Sequence, residues 1–181
     1  MYINEKFCSK QLRWIGGKFL KTERCYLRLF SERDYESVKK LYENEDVRKY
    51  LGGTVEEEAF KHHFTHMLHA KKGRYWAIFL NDSHAFIGFV FLDSYHDGAR
   101  TEIGYQLLPQ YWRKGYASEV VTCVIEYGFN EWQLQEIVAE TQTRNMASCK
   151  LLRKVGMTCE GQLKRFGEEQ SMFRLFNPTA S

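Results

Sequence analysis

The chain has 181 residues, enough for one domain with a sizeable core. Its 44% apolar and 27% charged residues are ordinary for a globular protein, and a formal charge of +3 is too small to argue for nucleic acid as a partner. The longest apolar run, Phe86 to Leu92, falls far short of a membrane span.

Residues 1–21 read as an N-terminal extension, either an extra strand pair or a loose arm, ahead of a domain spanning 22–178. Gly16-Gly17 suggests a turn there. Lys6, Lys10, Arg13 and Lys18 are scattered through the stretch with no apolar h-region, so a cytoplasmic protein is expected. Five cysteines (Cys8, Cys25, Cys123, Cys149, Cys159) are odd in number and lack Cys-x-x-Cys spacing. They read as reduced thiols, Cys149 among them as structural.

Arg24 to Phe30 alternates as a strand, and Ser31-Glu32-Arg33-Asp34 resembles a capping box with Asp in the Glu position. The helix it opens carries Tyr35, Val38, Leu41 and Tyr42 on one face. A second helix is expected from about Glu56, with Phe60, Phe64, Met67 and Leu68 as its stripe and Gly73 as its stop. Tyr75 to Leu80 and Ala85 to Leu92 read as a hairpin joined by Asn81-Asp82-Ser83-His84, followed by a turn from Tyr95 to Arg100. Then come a strand at Glu102 to Leu107, a helix from Tyr116 to about Asn130, a strand at Glu136 to Thr141 and a helix at Asn145. Two strands, Met157 to Phe166 and Gln170 to Phe176, are expected to turn at Gly167-Glu168-Glu169. This order predicts an α+β, or mixed α/β, fold with a partly antiparallel sheet.

Two connections carry chemistry. Residues 112–119, Trp-Arg-Lys-Gly-Tyr-Ala-Ser-Glu, join a strand to a helix through Gly115. Free N–H groups and the positive dipole end of such a helix make an anion site, and Arg113 and Lys114 add charge. The spacing is neither the Walker loop nor the three-glycine dinucleotide fingerprint. Asn145-Met146-Ala147-Ser148 opens the next helix, with Asn145 as N-cap and Gly156 as the C′ residue. Taken alone, the first could be an ordinary strand–helix connection and the second a simple cap.

Together, Ile103-Gly104-Tyr105 through Pro109, Tyr111 to Glu119, Asn145-x-Ala147-Ser148, Lys154 to Met157 and Glu160-Gly161 resemble the GNAT N-acetyltransferases, in particular the RimJ/RimL branch that acetylates protein N-terminal amines. Thr22-Glu23-Arg24 with Leu27-Arg28, and Val47 to Gly53, extend the resemblance over about residues 22–176. It implies a strongly twisted mixed sheet, flanked by helices, with acetyl-CoA wedged where two central strands splay apart. By position it implies main-chain groups of Leu107 and Leu108 along the pantetheine arm. Arg113, Lys114, Gly115, Tyr116 and Ala117 would lie around the pyrophosphate, and Asn145 and Ser148 near the sulfur. Trp112 stands where the superfamily has Gln or Arg, as in this branch, and Arg113 stands where the branch usually has Gly.

Ser148 is the candidate donor to the leaving thiolate, against a plain helix-start hydrogen bond. Glu102 is the candidate general base through one water, against an edge salt bridge, with Glu140 as a weaker alternative. Tyr105 is expected to pack in the sheet or line the groove rather than act as an acid. Main-chain N–H groups near Leu107 and Leu108 are the expected oxyanion donors. His62, His63, His66 and His69 invite a metal reading, but a solvated or groove-lining face is favoured and no metal is expected. The acidic residues between 43 and 58 either meet a cationic acceptor or suit helix dipoles. The expected activity is direct acetyl transfer to a protein N-terminal amine, a ribosomal protein among the candidates. The rivals are a small-molecule amine acceptor (a polyamine, amino sugar or antibiotic) and a non-catalytic coenzyme A-binding module. No nucleic acid or membrane partner is expected, and the protein is expected as a monomer or homodimer.

Overall fold

The computed structural model describes residues 19–179; Gly16-Gly17 and most of the N-terminal extension lie outside them. Eight strands form one sheet in the spatial order β1 (Phe19–Lys21), β2 (Cys25–Leu29), β3 (Arg74–Leu80), β4 (Phe86–Ser94), β5 (Thr101–Leu107), β6 (Glu136–Gln142), β8 (Glu168–Phe176) and β7 (Thr158–Arg165). Every neighbouring pair is antiparallel except β5 and β6. The helices are α1 (Tyr35–Tyr42), α2 (Glu45–Arg48), α3 (Glu57–Leu68), α4 (Tyr116–Asn130) and α5 (Met146–Lys154). The mixed α/β class with helices flanking the sheet is the one the sequence predicts. β1 comes from the stretch set apart as the extension and pairs with β2, burying Leu20.

The sheet has two unlike faces. On one, α4 and α5 cover a largely aliphatic layer that includes Ile78, Val90, Leu92, Ile103 and Ile137. On the other, α1, α2 and α3 cover an aromatic layer in which Phe60, Phe64 and Phe89 are buried and Phe30, Tyr75 and Phe91 are partly so. Each buried Phe contributes roughly 1.5–3 kcal/mol of transfer free energy. Tyr75 and Phe91 stack at 5.0 Å between ring centroids.

A single residue sets which side chains face which layer. Between β3 and β4 the register shifts, pairing Ile78 with Gly88 but Phe79 with Phe86, so Ile87 bulges. Strand side chains alternate, and one inserted residue reverses the phase. Ile87, Val90 and Leu92 therefore join the aliphatic layer, while Phe86, Phe89 and Phe91 join the aromatic one. Gly88 permits the close approach this needs, because a Cβ there would lie 2.1 Å from the Gln106 carbonyl oxygen.

Local chemistry explains most boundaries. The Ser31 main-chain N–H donates to Asp34 at 2.7 Å, completing the capping box, and Arg28 holds the buried Asp34 carboxylate through two nitrogens at 2.7 and 3.0 Å. α3 buries Phe60, Phe64 and Met67 as the stripe predicts, but it ends at Leu68, short of Gly73. Gly73 is instead needed for packing, since a Cβ there would come within 2.5 Å of the Asp93 carboxyl carbon. The short α2, capped by Asn44 on Val47 N–H, is absent from the sequence reading because its four residues carry too little periodicity. The last hairpin turns at Phe166-Gly167, one step before the expected Gly167-Glu168-Glu169, since Arg165 already pairs with Glu168. Both turn residues have positive φ, 53° and 77°, as a primed two-residue turn demands.

The bulge gives a stability test. Gly88→Ala is expected to cost on the order of 2 kcal/mol or more in urea unfolding, through backbone crowding. Gly161→Ala, where a Cβ meets nothing within 4 Å, is the control and should shift stability by roughly 0.5 kcal/mol or less.

Candidate functional site

β5 and β6 run parallel, each seven residues long, yet they register at one pair only, Glu102 with Val138. That pair lies near their N-terminal ends, so the strands part toward their C-terminal ends. Ligands of open α/β sheets favour such a crevice. Leu108 N–H donates to Ile87 on β4 at 2.9 Å. Successive main-chain groups of a strand point to opposite sides, so the N–H groups of Tyr105 and Leu107 face the opening. The Leu107 carbonyl accepts from the Trp112 indole at 2.7 Å, and the Leu108 carbonyl from Tyr111 N–H at 3.0 Å. Of the two expected oxyanion donors, only Leu107 N–H therefore faces the opening.

The loop after β5 takes the conformation that an anion cradle requires. Arg113 has φ 58° and Gly115 φ 85°, both left-handed. The conformation costs a non-glycine residue roughly 1–2 kcal/mol, which accounts for the glycine usual at the position of Arg113. Alternating backbone of this kind gathers N–H groups into an anion-binding hollow. The first main-chain bond of α4 runs from Glu119 N–H to the Gly115 oxygen, at 3.2 Å, and no side chain caps the helix. Tyr116, Ala117 and Ser118 thus leave their N–H groups at the helix start. The Arg113 and Lys114 side chains are exposed beside them.

A brace that the sequence did not reveal holds this loop. Arg24 donates to Glu119 through Nε at 2.7 Å and to the Lys114 carbonyl at 2.9 Å, and stacks over Tyr116 at 4.4 Å. Glu119 also accepts from Thr22 Oγ1 at 2.6 Å and Arg24 N–H at 2.8 Å. The contact spans 95 residues of sequence, so local pattern could not find it; the Thr22-Glu23-Arg24 motif was its only visible trace.

The two faces of the opening carry different chemistry. Ile103, Tyr105 and Leu107 point to the α4/α5 side. There the Tyr105 hydroxyl and Ser148 Oγ share a hydrogen bond of 2.9 Å. Burial pushes the Tyr105 phenol up to about 12, so it stays protonated at neutral pH. Tyr105 packs in the sheet as expected, and its hydroxyl in addition reaches Ser148. Asn145 caps α5 by accepting from Ser148 N–H at 3.2 Å, which leaves its amide nitrogen available as a donor. Cys149 is buried in the aliphatic layer.

By alternation Glu102, Gly104 and Gln106 point to the aromatic side. Gly104 makes room for the Phe91 ring, 2.3 Å from where a Cβ would stand. Burial, and secondarily the Glu140 charge, push the Glu102 carboxyl up to about 7; the Glu140 main-chain N–H and Arg165 offset part of this. Glu140 itself is tied to Arg165 at 2.6 Å and to the Tyr95 hydroxyl at 2.5 Å. Glu140 therefore fills the structural role, leaving Glu102 as the carboxylate without an ion-pair partner in this group. The arrangement can accept a proton on one face of the opening and donate one on the other.

His62, His63, His66 and His69 are all exposed on and just beyond α3, the solvated face that the sequence reading favours. Of the acidic residues between 43 and 58, Glu43 and Glu57 pair with Lys39, while Glu45, Asp46 and Glu58 sit in the first turns of α2 and α3. Among the described residues no helix is long and apolar enough to cross a membrane.

Residues 24–158 match the model of the acetyltransferase (GNAT) domain. The chain is 34% identical over 156 residues to the uncharacterized N-acetyltransferase YoaA of Bacillus subtilis (strain 168), covering 81% of this chain and 86% of that protein. Its fold is similar to the spermidine N-acetyltransferase of Vibrio cholerae solved with CoA and spermine, with a TM-score of 0.74, 18% identity and coverage of 84% and 95%. It is similar also to RimL, a ribosomal L7/L12 alpha-N-protein acetyltransferase solved with coenzyme A, with a TM-score of 0.73, 18% identity and coverage of 88% and 98%. At that identity these two structures speak to fold alone. The parted strands, the left-handed loop and the free helix-start N–H groups fit a phosphorylated, amide-bearing ligand such as coenzyme A.

The brace yields a prediction. Arg24→Ala should weaken coenzyme A binding by about tenfold in calorimetry, the scale of one charge-assisted contact. Global stability should fall by roughly 1 kcal/mol, since Arg24 is nearly half exposed and Glu119 keeps its Thr22 hydrogen bond.

Proposed function

The chain belongs to the GNAT acetyltransferase family and transfers acetyl groups from acetyl-CoA to amines; from that premise we propose that its acceptor is a protein N-terminal α-amine, as in the RimJ/RimL branch. A ribosomal protein is among the candidates. The observation that carries this reading is the Glu102 carboxyl, pushed up to about 7 on the aromatic face of the opening. An α-ammonium with a pKa of about 8 loses its proton to such a base at a cost of roughly 1–2 kcal/mol. A lysine or polyamine ammonium, at about 10.4, would cost roughly 4–5 kcal/mol. The base suits the weaker amine.

Acetyl-CoA supplies the thioester as a substrate. Around it, Arg113, Lys114 and the N–H groups of Gly115, Tyr116 and Ala117 hold the diphosphate. The gap-facing N–H of Leu107, with that of Tyr105, lies along the amide-bearing arm, and Asn145 lies beside it. Glu102 takes the proton of the ammonium through one water, so the neutral nitrogen can form its bond to the acetyl carbon. As the carbon–sulfur bond breaks, Ser148 donates a proton to sulfur and is resupplied by the Tyr105 phenol across their 2.9 Å hydrogen bond, while the nitrogen sheds its second proton to water and the phenol is reprotonated from water. Holding both substrates in the opening supplies much of the barrier reduction, about 7–11 kcal/mol in well-oriented systems. The described cysteines are all free, which suits a reducing cytoplasm.

The test is a panel of N-terminal peptides and polyamines assayed for acetyl-CoA-dependent free thiol. Turnover confined to polyamines overturns the acceptor assignment, and coenzyme A binding with no turnover on any amine overturns the activity. With a peptide, kcat/KM should fall as pH drops through about 7, because Glu102 works unprotonated. Glu102→Gln should remove that component, leave the one near 8 set by the amine, and lower kcat by about 10²–10⁴-fold. Ser148→Ala with Tyr105→Phe should lower kcat while leaving coenzyme A affinity within about twofold, since neither hydroxyl is placed on the diphosphate.

A further inference from the structure

Gln106 stands on β5 four residues beyond Glu102, on the same face, at the end where β5 and β6 part. Its Oε1 is buried and has no hydrogen-bond partner. The two other buried side-chain atoms without a hydrogen bond among the described residues, Glu136 Oε2 and Arg174 Nε, lie 3.2 Å apart in an ion pair. Of these three atoms, Gln106 Oε1 is thus the one outside an ion pair. An unmatched buried amide oxygen is destabilising, so a ligand that brings a donor gains by satisfying it.

The surroundings narrow that ligand. Between Glu102 and Gln106 lies Gly104, over which the Phe91 ring rests. Glu102, Gly104, Gln106 and Phe91 are all partly exposed on one face of the sheet, with a carboxylate at one end of the row, the Phe91 ring in the middle and a carboxamide at the other. Strand side chains stand perpendicular to the sheet, whereas the opening between β5 and β6 lies in its plane. A chain threaded through the opening meets main-chain groups; a molecule approaching from the aromatic face meets Gln106. That placement favours the acceptor over coenzyme A as the source of a donor for the orphaned oxygen.

We infer that Gln106 Oε1 receives the first peptide N–H of the acceptor, the donor next to its reactive α-amine, and so makes Gln106 the residue that distinguishes a peptide terminus from a simple amine. This rests on the α-amine reading of the acceptor. A site that hydrogen-bonds a substrate N–H rejects an analogue lacking it far more strongly than an apolar pocket rejects a missing methylene. The contact is made by a side chain, so substitution removes it without disturbing the β4–β5 ladder.

The experiment compares the best peptide of the N-terminal panel with its depsipeptide, in which an ester oxygen replaces the first peptide N–H. The wild-type enzyme should favour the peptide by about tenfold or more in kcat/KM. Gln106→Met, close in volume but without an acceptor oxygen, should bring that ratio to within about twofold of unity while the Kd for coenzyme A holds within about twofold. Gln106→Glu, which keeps an acceptor oxygen, should retain the preference for the peptide. A wild-type ratio near unity, or one unchanged in Gln106→Met, overturns the assignment of Gln106 while peptide acetylation stands. A loss of coenzyme A affinity matching the change in peptide KM assigns the carboxamide to the pantetheine arm and also overturns it. A wild-type enzyme that acetylates polyamines but no peptide overturns the acceptor reading and this one together.

Discussion

The parting of β5 from β6 is the constraint on which the remaining structure depends. Two parallel strands held at Glu102 and Val138 alone leave main-chain donors without a partner strand. Such groups are costly to bury unsatisfied, so the opening persists as a place for a ligand able to supply hydrogen bonds. Everything nearby reinforces the separation. Trp112 occupies the Leu107 carbonyl, the Arg113–Gly115 loop turns the chain away, and α4 and α5 start on either side of the mouth.

The opening also explains the division of labour between the faces. Its α4/α5 side carries neutral hydroxyls, Tyr105 and Ser148, suited to receiving a soft leaving group. Its aromatic side carries Glu102 near Asp93 and Glu140, an acidic environment in which one carboxyl is pushed up by burial and by its neighbours' charge. Arg165 and Tyr95 hold Glu140 in place, whereas no ion pair among the described residues holds Glu102, the carboxyl proposed as the proton acceptor. A carboxyl and a pair of hydroxyls thus sit on opposite sides of one strand, separated by the alternation of its side chains.

What the sequence made legible was local. Alternation and capping identified β2, β5, α4 and α5 nearly to the residue, because Gly115, Asn145 and Gly156 act on the chain beside them. The cradle was readable for the same reason. Glu102 and Ser148 were visible as residue types at suggestive places, while their opposite faces and the Tyr105 hydroxyl bond arise only when β5 meets α5. The Arg24–Glu119 brace and the Tyr95–Glu140–Arg165 cluster join segments far apart in sequence, beyond any periodic signal. Gly73 misled for a physical reason: it looks like a helix stop, yet it is required by the Asp93 carboxylate packed against it.

The bulge at Ile87 has a wider meaning for how this chain can vary. Upstream and downstream of it, odd and even positions exchange layers, so the strand works as two half-strands joined out of step. Swapping one hydrophobe for another on β4 disturbs a single contact. Removing Ile87 would leave Phe86, Phe89 and Phe91 on the face they now share, because Gly88 would then follow Phe86 in ordinary alternation and keep its pairing with Ile78. The inserted residue is thus dispensable for the phase of the strand, and what it adds is local: a bend, and one more aliphatic side chain in the layer under α4.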